Sequence, residues 1–429
     1  GGCGKKIYKM YQAKMRSALP CAARMGVTRF TAGSHCSFRQ VRLLAGMATD
    51  QGGTPEATSG EKVKTGIVML NMGGPSEPEE TGPFLKRLFQ DADIIDLGGG
   101  KVQQLLGDFI SSRRTPSVQK QYEEIGGSPI RKWTEHQGKE MCKLLDKQHP
   151  ESAPHKAYTA FRYANPLTDV ALKEMEKDGV EHAIAFSQFP QWSCTTSGSS
   201  MNELWREVKR LGLEKAFRWS AIDRWPLNKG WIRAVDERIR DKLLEFDEKV
   251  RSNVVIVFSA HSVPMKVVAK GDHYTHEVSA SVNAIMDAFE KDFVKKDAIP
   301  GVEKTNKFVL AWQSKVGYMP WMVPSTHDVL ENLGKKGHKS VLVVPVAFTS
   351  DHIETLYEIG MEYAEDAQKA GIANFKYTEG LNGSETFITA LADIVCEHLD
   401  NGENHSPQYK MKCMTCTKPM CRQLMNPKY

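Results

Sequence analysis

The chain contains 429 residues, of which 41% are hydrophobic and 25% are charged. This is the composition of a globular protein, and it excludes both a disordered chain and a small scaffold that depends on disulfides. The length is sufficient for two hydrophobic cores. The longest apolar runs, such as Val254–Phe258, are far shorter than the about 20 residues that a transmembrane helix requires. A spanning helix is therefore excluded, whereas binding to a membrane surface is not.

The positive charge of the chain is concentrated at its N-terminus. Residues 1–49 contain nine Lys and Arg and no Asp or Glu, which leaves residues 50–429 with 48 basic and 52 acidic side chains. The remainder is slightly acidic and gives no support to nucleic-acid binding. An acid-free segment with Arg, Ser and Ala is typical of a mitochondrial transit peptide, and the alternative is a disordered basic arm. We expect residues 1–60 to be a transit peptide and linker, with cleavage between Ala45 and Gly60.

In chain order, apolar runs of strand length alternate with amphipathic segments of helix length. The apolar runs are mostly continuous, as in strands of a parallel sheet that is covered on both faces. The predicted strands are Gly66–Asn71, Ala157–Arg162, His182–Ser187, Val254–Ala260, Phe308–Gln313 and Ser340–Phe348. The predicted helices include Asn165–Lys177, Met201–Leu211, Trp231–Asp247 and Glu277–Phe293. This alternation predicts an α/β protein with doubly wound parallel sheets.

A weak internal repeat predicts two such domains, over 61–225 and 226–400, followed by a C-terminal extension over 401–429. In each half a strand leads through proline into a helix that ends in Lys-Asp-Gly or Lys-Lys-Gly, and a second strand follows. Polar segments come soon after these second strands, namely Ser193–Thr195 and Ser350–His352. Ligands of open α/β sheets bind beyond the carboxyl ends of the strands. We therefore expect both segments to face one cleft.

His261 stands at the end of the apolar run Val254–Ala260. A neutral imidazole in this place can bind a metal or accept a proton near neutral pH. The alternative is a histidine at the edge of the core that is satisfied by backbone groups. For a single His we prefer this alternative. On these residues alone both interpretations stay open.

A second polar cluster, Ser350–Glu358, follows the run Ser340–Phe348 and is predicted to open a helix. Glu354, Glu358 and Glu362 recur every four residues and hence share one helix face. Such a row is usually a solvated face. Here it begins at the expected ligand site, and like charges four residues apart repel unless they share protons or cations. Oxygen ligands of this kind suit a hydrated divalent cation.

Near the C-terminus, Cys413, Cys416 and Cys421 place three thiols within nine residues. A mitochondrial leader indicates a reducing compartment, which argues against disulfides. Three thiolates need a fourth ligand to complete either a tetrahedral zinc site or an iron–sulfur cluster. Cys194 is the best candidate because it lies in a polar segment. On these residues a zinc site, a cluster and three free thiols all stay open.

Residues 84–116 form an apolar segment with basic flanks, which we name the lip. Its apolar residues include Phe84, Leu85, Leu88, Phe89, Ile94, Ile95, Leu97, Leu105, Leu106, Phe109 and Ile110. A helix pair packed on the core explains this composition. An exposed apolar surface that contacts a membrane or a flat apolar ligand explains it equally well.

Seven segments together make the chain similar to the ferrochelatase family, in its animal mitochondrial form, over about Lys64–Cys421. They are Leu70–Pro75, Arg113–Pro116, Phe161–Tyr163, Ile222–Pro226, Phe258–Ser262, Trp312–Gly317 and Phe348–Leu356. The resemblance implies two Rossmann-like domains with a porphyrin cleft between them. It also implies that Fe²⁺, as a substrate, is inserted into protoporphyrin IX to give protoheme with release of two protons.

The resemblance implies catalytic roles as well. His261 matches the family's active-site histidine, which acts as the base, and Glu354 matches an acidic residue on the opposite side of the macrocycle. Glu358 and Glu362 match an acidic track that relays protons outward or iron inward. Asn228 lies where the family has a histidine. The whole implied set is His261, Glu354, Asp351, His352, Glu358 and Glu362. Asn228 and Asp393 stand in second rank, and Asp393 is expected to be structural.

Porphyrin contacts and propionate anchors are implied for Met72, Arg113, Arg114, Tyr122, Ser128, Arg162, Tyr163 and Trp312. The resemblance assigns a [2Fe–2S] cluster, one per subunit, to Cys194, Cys413, Cys416 and Cys421. It further implies a homodimer in peripheral contact with the matrix side of the inner mitochondrial membrane. The competing functions are a non-catalytic porphyrin or heme carrier on the same fold, and a chelatase for another divalent metal.

Overall fold

Two four-stranded parallel sheets form the frame of the fold. The computed structural model describes residues 62–95, 97–293, 299–302, 305–317, 319–406, 415–416, 421 and 423–425. The first sheet contains β1 (Thr65–Asn71), β2 (His155–Phe161), β3 (His182–Ser187) and β4 (Arg218–Ile222), in the order β2-β1-β3-β4. The second contains β5 (Val255–His261), β6 (Phe308–Gln313), β7 (Ser340–Pro345) and β8 (Asn374–Tyr377), in the order β6-β5-β7-β8. The prediction of an α/β fold with parallel sheets is confirmed.

The six predicted strands are all present, with ends shifted by a few residues. β2 begins at His155, before its predicted start, and β7 ends at Pro345 rather than Phe348. Two strands, β4 and β8, are additional. Both are short and mix polar with apolar residues, and β8 is an edge strand that is largely only half-buried. Neither therefore carries the continuous apolar run that identifies a strand covered on both faces.

Helices connect the strands and cover the sheets. They are α1 (Thr81–Gln90), α2 (Gly100–Ile125), α3 (Ile130–Gln148), α4 (Thr168–Lys177), α5 (Ser197–Leu211), α6 (Lys229–Leu244), α7 (Glu248–Arg251), α8 (Met265–Ala269), α9 (Tyr274–Phe293), α10 (Thr326–Lys335), α11 (Tyr363–Lys369) and α12 (Glu385–Asp400). The four predicted helices correspond to α4, α5, α6 and α9. Among the described residues, no helix is both long and apolar enough to cross a membrane.

The predicted helix that carries the glutamate row is observed, and it is a π-helix, Glu354–Glu362. The π-helix leads directly into α11. Its hydrogen bonds run from residue i to i+5, so the turn is wider than that of an α-helix. Thr355 and Ile359 are the buried positions of this element. Extended π-helices are rare and occur frequently at functional sites.

One hydrophobic core is shared by the two sheets. Ile67 and Met69 of β1 enter it together with Ile256 and Phe258 of β5. The intervening residues of both strands pack on the opposite faces in separate cores, because successive side chains of a strand alternate between faces. Side chains of α3, α6, α9 and α12 complete the shared core. Each sheet is therefore covered on both faces.

Trp225 connects the two halves of the chain within this core. Its indole N–H donates to the carbonyl of Ser187 at 2.9 Å, at the end of β3. Its ring centroid lies 6.1 Å from that of Phe387 in α12 and 5.9 Å from that of Trp231 in α6. The strands of the first sheet all precede Trp225 and those of the second all follow it. The exact domain boundary after this residue stays a prediction.

After α12 the chain returns to the first sheet. The amide of Ala221 in β4 donates to the carbonyl of Asn404 at 2.8 Å. The hydroxyl of Ser406 donates to the buried carboxylate of Asp223. The start of the predicted C-terminal extension is thereby attached to the edge of the first sheet. The predicted transit peptide, residues 1–60, lies outside the described residues.

The shared core predicts that the two sheets unfold together. Phe387→Ala removes a fully buried ring at the centre of this core and should lower the free energy of unfolding by about 3–5 kcal/mol. Urea unfolding followed by circular dichroism should still show a single transition. Leu172→Ala, in the outer core of the first sheet, is the matched control. Two separated transitions would show that the halves fold independently.

Candidate active site

A cavity of about 1510 Å³ opens at the carboxyl ends of both sheets. Asn71 and Met72 reach it from the end of β1, and His261 from the end of β5. Gln188 follows β3, and the segment Ala347–Ser350 follows β7. In parallel α/β sheets these ends form the ligand-binding edge. The predicted meeting of both polar segments is observed, since residues of 193–195 and of 350–352 line this one cavity.

His261 presents one ring nitrogen to the cavity. Its Nδ1 lies 2.6 Å from the carbonyl oxygen of Ser262, which can only accept, so Nδ1 carries the hydrogen. The other nitrogen, Nε2, lies 3.7 Å from Oε1 of Glu354. The side chain is 37% exposed. The backbone carbonyl thus sets the tautomer in which Nε2 is free to accept a proton.

Glu354 lies between two imidazoles. Its Oε1 is near His261, and its Oε2 is 3.2 Å from Nε2 of His352. Nδ1 of His352 lies 3.1 Å from the carbonyl of Ser350. Burial raises the pKa of Glu354, but His261 and His352 outweigh this effect and bring the pKa below its usual value. The carboxylate is therefore ionised at neutral pH.

The separation of His261 and Glu354 contradicts one expectation about the site. A porphyrin ring between the two groups would need about 3.5 Å of contact distance on each of its faces. The observed gap between the two side chains is only 3.7 Å. The prediction that the two residues lie on opposite sides of a bound macrocycle is wrong. His261, at the end of β5, and Glu354, at the start of the π-helix, lie in the same wall of the cavity.

Asp351 has its acceptor positions occupied by the surrounding loop. It accepts hydrogen bonds from the amide of Gly380 at 2.8 Å, from the Asn382 side chain at 2.6 Å and from the Thr355 hydroxyl at 2.9 Å. The residue is buried and does not line the cavity. This arrangement holds the turn between β7 and the π-helix.

Glu358 is also engaged by its neighbours. Its carboxylate accepts from the amide of Ser314 at 2.8 Å, from the Ser314 hydroxyl, from Gln313 at 3.1 Å and from Tyr363 at 2.7 Å. Ser314 has a left-handed backbone with φ of 63°, which L-residues rarely adopt. Glu362, further along, is exposed, and both burial and the charge of Glu358 raise its pKa.

The two second-rank candidates lie on helices away from the cavity lining. Asn228 is the N-cap of α6, where its Oδ1 accepts from the amide of Trp231 at 2.9 Å. Asp393 is exposed on α12. Neither residue lines the cavity.

Of the predicted porphyrin-binding residues, Met72 and Arg114 line the cavity. The guanidinium of Arg114 lies 5.6 Å from the ring centre of Phe89. Arg113 is exposed on α2 but outside the lining. Tyr122, Ser128 and Trp312 are buried and do not line the cavity. The Ser128 hydroxyl has no hydrogen-bond partner among the described residues.

Arg162 and Tyr163 take part in a buried network around Asp91. Arg162 pairs with Asp91 at 3.1 Å and with Glu203 at 3.3 Å. The Tyr163 hydroxyl donates to Asp91 at 2.6 Å, and the Ser199 hydroxyl donates to it at 2.5 Å. Burial and the charge of Asp91 raise the pKa of Tyr163 well above its usual value. The network joins the end of α1 to α5.

Three of the four predicted cluster cysteines line the same cavity. They are Cys194, Cys416 and Cys421, and we name the part of the cavity that they line the cysteine arm. Cys413 lies outside the described residues. The Asn202 side chain is 4.0 Å from Sγ of Cys421. Within the described part of the chain, no three His, Cys, Asp or Glu side chains are grouped closely enough to hold a metal ion.

The lip contributes both to the cavity and to the exposed surface. Ile94, Ile95 and Leu97 are half-buried and line the cavity. The exposed apolar residues are instead on α2, where Val102, Leu105, Leu106 and Phe109 are 52%, 71%, 42% and 65% exposed. Their spacing of three and four residues places them on one face of that helix. The buried side chain of Gln103 donates to the carbonyls of Phe89 and Ile95 and holds the turn between α1 and α2.

Several lining residues escaped the sequence reasoning. Phe348 and Trp321 line the cavity, with ring centroids 4.6 Å from His352 and 6.5 Å from His261 respectively. Lys266 and Lys270 line it on the side of α8. For these two lysines, the available sequence signal was their position soon after His261, which ends a buried strand. Asp272, buried in the same wall, carried no sequence signal at all.

Comparison with known proteins relates this chain to one family. Residues 64–399 match the family model described as Ferrochelatase. The chain is 49% identical over 405 residues to the mitochondrial ferrochelatase of Schizosaccharomyces pombe, covering 94% of this chain and 91% of that protein. It is 44% identical over 422 residues to the Bos taurus protein of the same name, covering 95% and 98%. The Homo sapiens protein of that name is 46% identical over 376 residues, covering 87% and 85%.

Among solved structures, SirB from Bacillus subtilis with Fe³⁺ aligns with a TM-score of 0.45 and 13% identity, covering 80% of this chain and 98% of SirB. A likeness of this degree carries no argument about the site.

The cap geometry predicts that Asn228 stabilises α6. Asn228→Ala should lower the free energy of unfolding by about 1 kcal/mol, because the Trp231 amide loses its acceptor. Asn228→Ser keeps an N-cap acceptor and should remain close to the original stability. Urea unfolding of both variants measures the difference. Equal losses in the two variants would contradict a capping role.

Proposed function

The chain belongs to the ferrochelatase family, and from that premise we propose how its cavity carries out the family's reaction. Ferrochelatases insert Fe²⁺ into protoporphyrin IX to form protoheme and release two protons, the last step of heme synthesis. This chain is such a lyase and acts in the mitochondrion, as its relatives do. What remains to be proposed is the role of each residue, the cofactor, the membrane contact and the oligomeric state.

The two leaving protons require bases at the ring nitrogens, and His261 is the first of them in our proposal. The observation that carries this assignment is the free Nε2, which faces the cavity while Nδ1 is held by the Ser262 carbonyl. After Nε2 accepts a proton, the imidazolium lies beside the ionised Glu354 and is stabilised by it.

Glu354 is the second proton acceptor in this proposal, and His352 orients it. The Ser350 carbonyl and the ionised Glu354 can only accept hydrogen bonds, so His352 donates from both Nδ1 and Nε2. One imidazole and one carboxylate thus match the two protons released per Fe²⁺ inserted. Glu354 also attracts the incoming cation, because its ionised carboxylate lines the cavity.

We assign different parts to the other acidic residues. The four donors around Glu358 favour a role in shaping the loop after β6 over a role in carrying protons. The exposed Glu362 is suited to exchange protons or iron with solvent. Asp351 holds the turn that presents His352, whereas Asn228 and Asp393 have no part in the chemistry in this proposal.

The porphyrin occupies the space between walls that come from the two sheets. The lining includes apolar side chains of the lip, Met72 and Trp321, which suit a flat apolar macrocycle, together with many polar and charged groups. Its propionates need cations, and Arg114 at the cavity lining is the anchor we propose. Arg162 is paired with two carboxylates, so it supports the wall rather than a propionate.

Replacing His261 tests the catalytic assignment. His261→Ala should lower kcat by about 10²–10⁴-fold, because the base is lost, while porphyrin binding is retained. The measurement is an anaerobic assay of purified protein with protoporphyrin IX and Fe²⁺, followed by loss of free-base fluorescence. His327→Ala, a histidine exposed outside the cavity, is the control.

Turnover of His261→Ala at the original rate would contradict the role of this residue. A wild-type protein that binds protoporphyrin but inserts no metal would favour a porphyrin carrier. Insertion of Co²⁺ or Zn²⁺ in preference to Fe²⁺ would favour a chelatase for another metal.

We further propose that the cysteine arm holds a [2Fe–2S] cluster, one per subunit, through Cys194, Cys413, Cys416 and Cys421. The fit rests on donor chemistry, since three thiols line one arm of the cavity and thiolates are the ligands of such clusters. When bound, the cluster supplies a covalent cross-link between the C-terminal extension and Cys194. Metal insertion is redox-neutral, so the reaction itself requires no electrons from it.

The apolar stripe on α2 supports a peripheral contact with the matrix side of the inner mitochondrial membrane. Val102, Leu105, Leu106 and Phe109 form a continuous exposed apolar face. Apolar residues of this kind insert into the boundary between headgroups and acyl chains. The stripe is on the lip, so membrane contact places the cavity near an apolar porphyrin dissolved in lipid. A homodimer is proposed from the family alone.

The stripe predicts that membrane binding and stability can be separated. Leu105→Ser with Phe109→Ser should weaken sedimentation with liposomes that contain anionic lipid, because the exposed apolar area is lost. Thermal stability should not change, since both side chains are exposed. Val170→Ser, an exposed apolar residue on α4, is the control. A marked loss of stability would show that the stripe is buried in the native protein.

A further inference from the structure

The segment Gln191–Cys194 is attached residue by residue to the wall that follows β5. The Gln191 side chain donates to the hydroxyl of Ser281 at 3.0 Å. The amide of Trp192 donates to Glu277 at 2.7 Å. The amide of Cys194 donates to Oδ2 of Asp272 at 2.8 Å. The loop that carries Cys194 is thereby fixed to α9 and to the residues just before it.

Asp272 is the central acceptor of this attachment. Its Oδ2 also accepts from the Ser193 hydroxyl at 3.2 Å, and its Oδ1 accepts from the amide of Tyr274 at 2.9 Å. The residue is 3% exposed. A buried carboxylate is tolerated when its oxygens are satisfied by hydrogen bonds. The geometry of Asp272 is therefore specific for the amide of Cys194 and its neighbours.

The same wall connects Asp272 to the catalytic histidine. Only ten residues separate His261 from Asp272. The lining residues between them are Ser262, Val263, Pro264, Lys266, Val267 and Lys270. The C-terminal extension also touches this segment, because the Thr415 amide and hydroxyl donate to the carbonyls of Lys270 and Ala269 at 3.4 and 3.2 Å.

We propose that Asp272 is a positioning residue that fixes Cys194 and couples occupancy of the cysteine arm to the shape of the porphyrin cavity. The inference rests on the proposed [2Fe–2S] site. Ligation of Cys194 and Cys416 would hold two groups that contact the segment 262–272, namely the Cys194 amide on Asp272 and Thr415 on Ala269 and Lys270. That segment forms the wall beside His261. Coupling between two sites is reciprocal, so a cluster that favours porphyrin binding implies a bound porphyrin that strengthens retention of the cluster.

Substitution of Asp272 by Asn leaves one donor without an acceptor. An amide side chain has one oxygen, whereas the carboxylate serves the Cys194 amide on one oxygen and the Tyr274 amide on the other. Ser193→Ala removes only one of the three hydrogen bonds and is the milder variant. Asp146→Asn is the matched control, because its carboxylate accepts from the His155 amide at 2.9 Å outside the cavity.

The test follows acid-labile sulfide retained on the purified full chain in excess EDTA. Asp272→Asn should lose sulfide about 10-fold faster than the wild type, the size of effect typical of groups that orient metal ligands. Ser193→Ala should be intermediate, and Asp146→Asn should match the wild type. Free-base protoporphyrin IX should slow the loss in the wild type and much less in Asp272→Asn. Equal rates in wild type and Asp272→Asn would overturn the inference.

Absence of the proposed cluster would give a different result from absence of the positioning role. Iron and sulfide absent from anaerobically prepared wild type would refute the proposed cofactor. The positioning role is then decided by alkylation of Cys194 with iodoacetamide, quantified by peptide mass spectrometry. Faster alkylation in Asp272→Asn than in Asp146→Asn supports the role, and equal rates overturn it.

Discussion

The shared hydrophobic core between the two sheets is the constraint on which the site depends. Alternate residues of β1 and β5 enter this core, and Trp225 ties β3 to α12 across it. Because all strands within each sheet are parallel, their carboxyl ends lie at one edge. The common core brings both edges to one cavity. Asn71 and His261, which belong to different sheets, meet there for that reason.

Within the cavity, the cost of burying Glu354 is offset by the two imidazoles beside it. Removal of one histidine would leave the carboxylate less compensated, because a buried charge is expensive unless it is paired and hydrogen-bonded. Each imidazole in turn has one nitrogen held by a backbone carbonyl. The main chain therefore fixes the orientation of both rings, and Nε2 of His261 stays available to accept a proton.

The rest of the structure supports the two walls of the cavity. Asp91, in the lip, binds Arg162, Tyr163 and Ser199. Asp272 binds the loop that carries Cys194 to the wall next to His261. Both are buried carboxylates that accept several donors. Such groups fix the positions of their neighbours, since each oxygen accepts hydrogen bonds only from certain directions. The wall beside His261 and the loop that carries Cys194 thus belong to one hydrogen-bonded framework.

The sequence by itself determined the fold class, six of the eight strands, the edge at which the site lies and the family. Those conclusions follow from local properties: apolar runs of strand length, the order of strands and helices, and long motifs such as Phe348–Leu356. Only the tertiary structure decided that Glu354 lies beside His261 rather than across a ring from it, and that the glutamate row is a π-helix. It also decided that the exposed apolar face of the lip is on α2. These features depend on how distant segments pack, as with Ser314 on Glu358 or Cys194 on Asp272, and the spacing of residues along the chain contains no such distances.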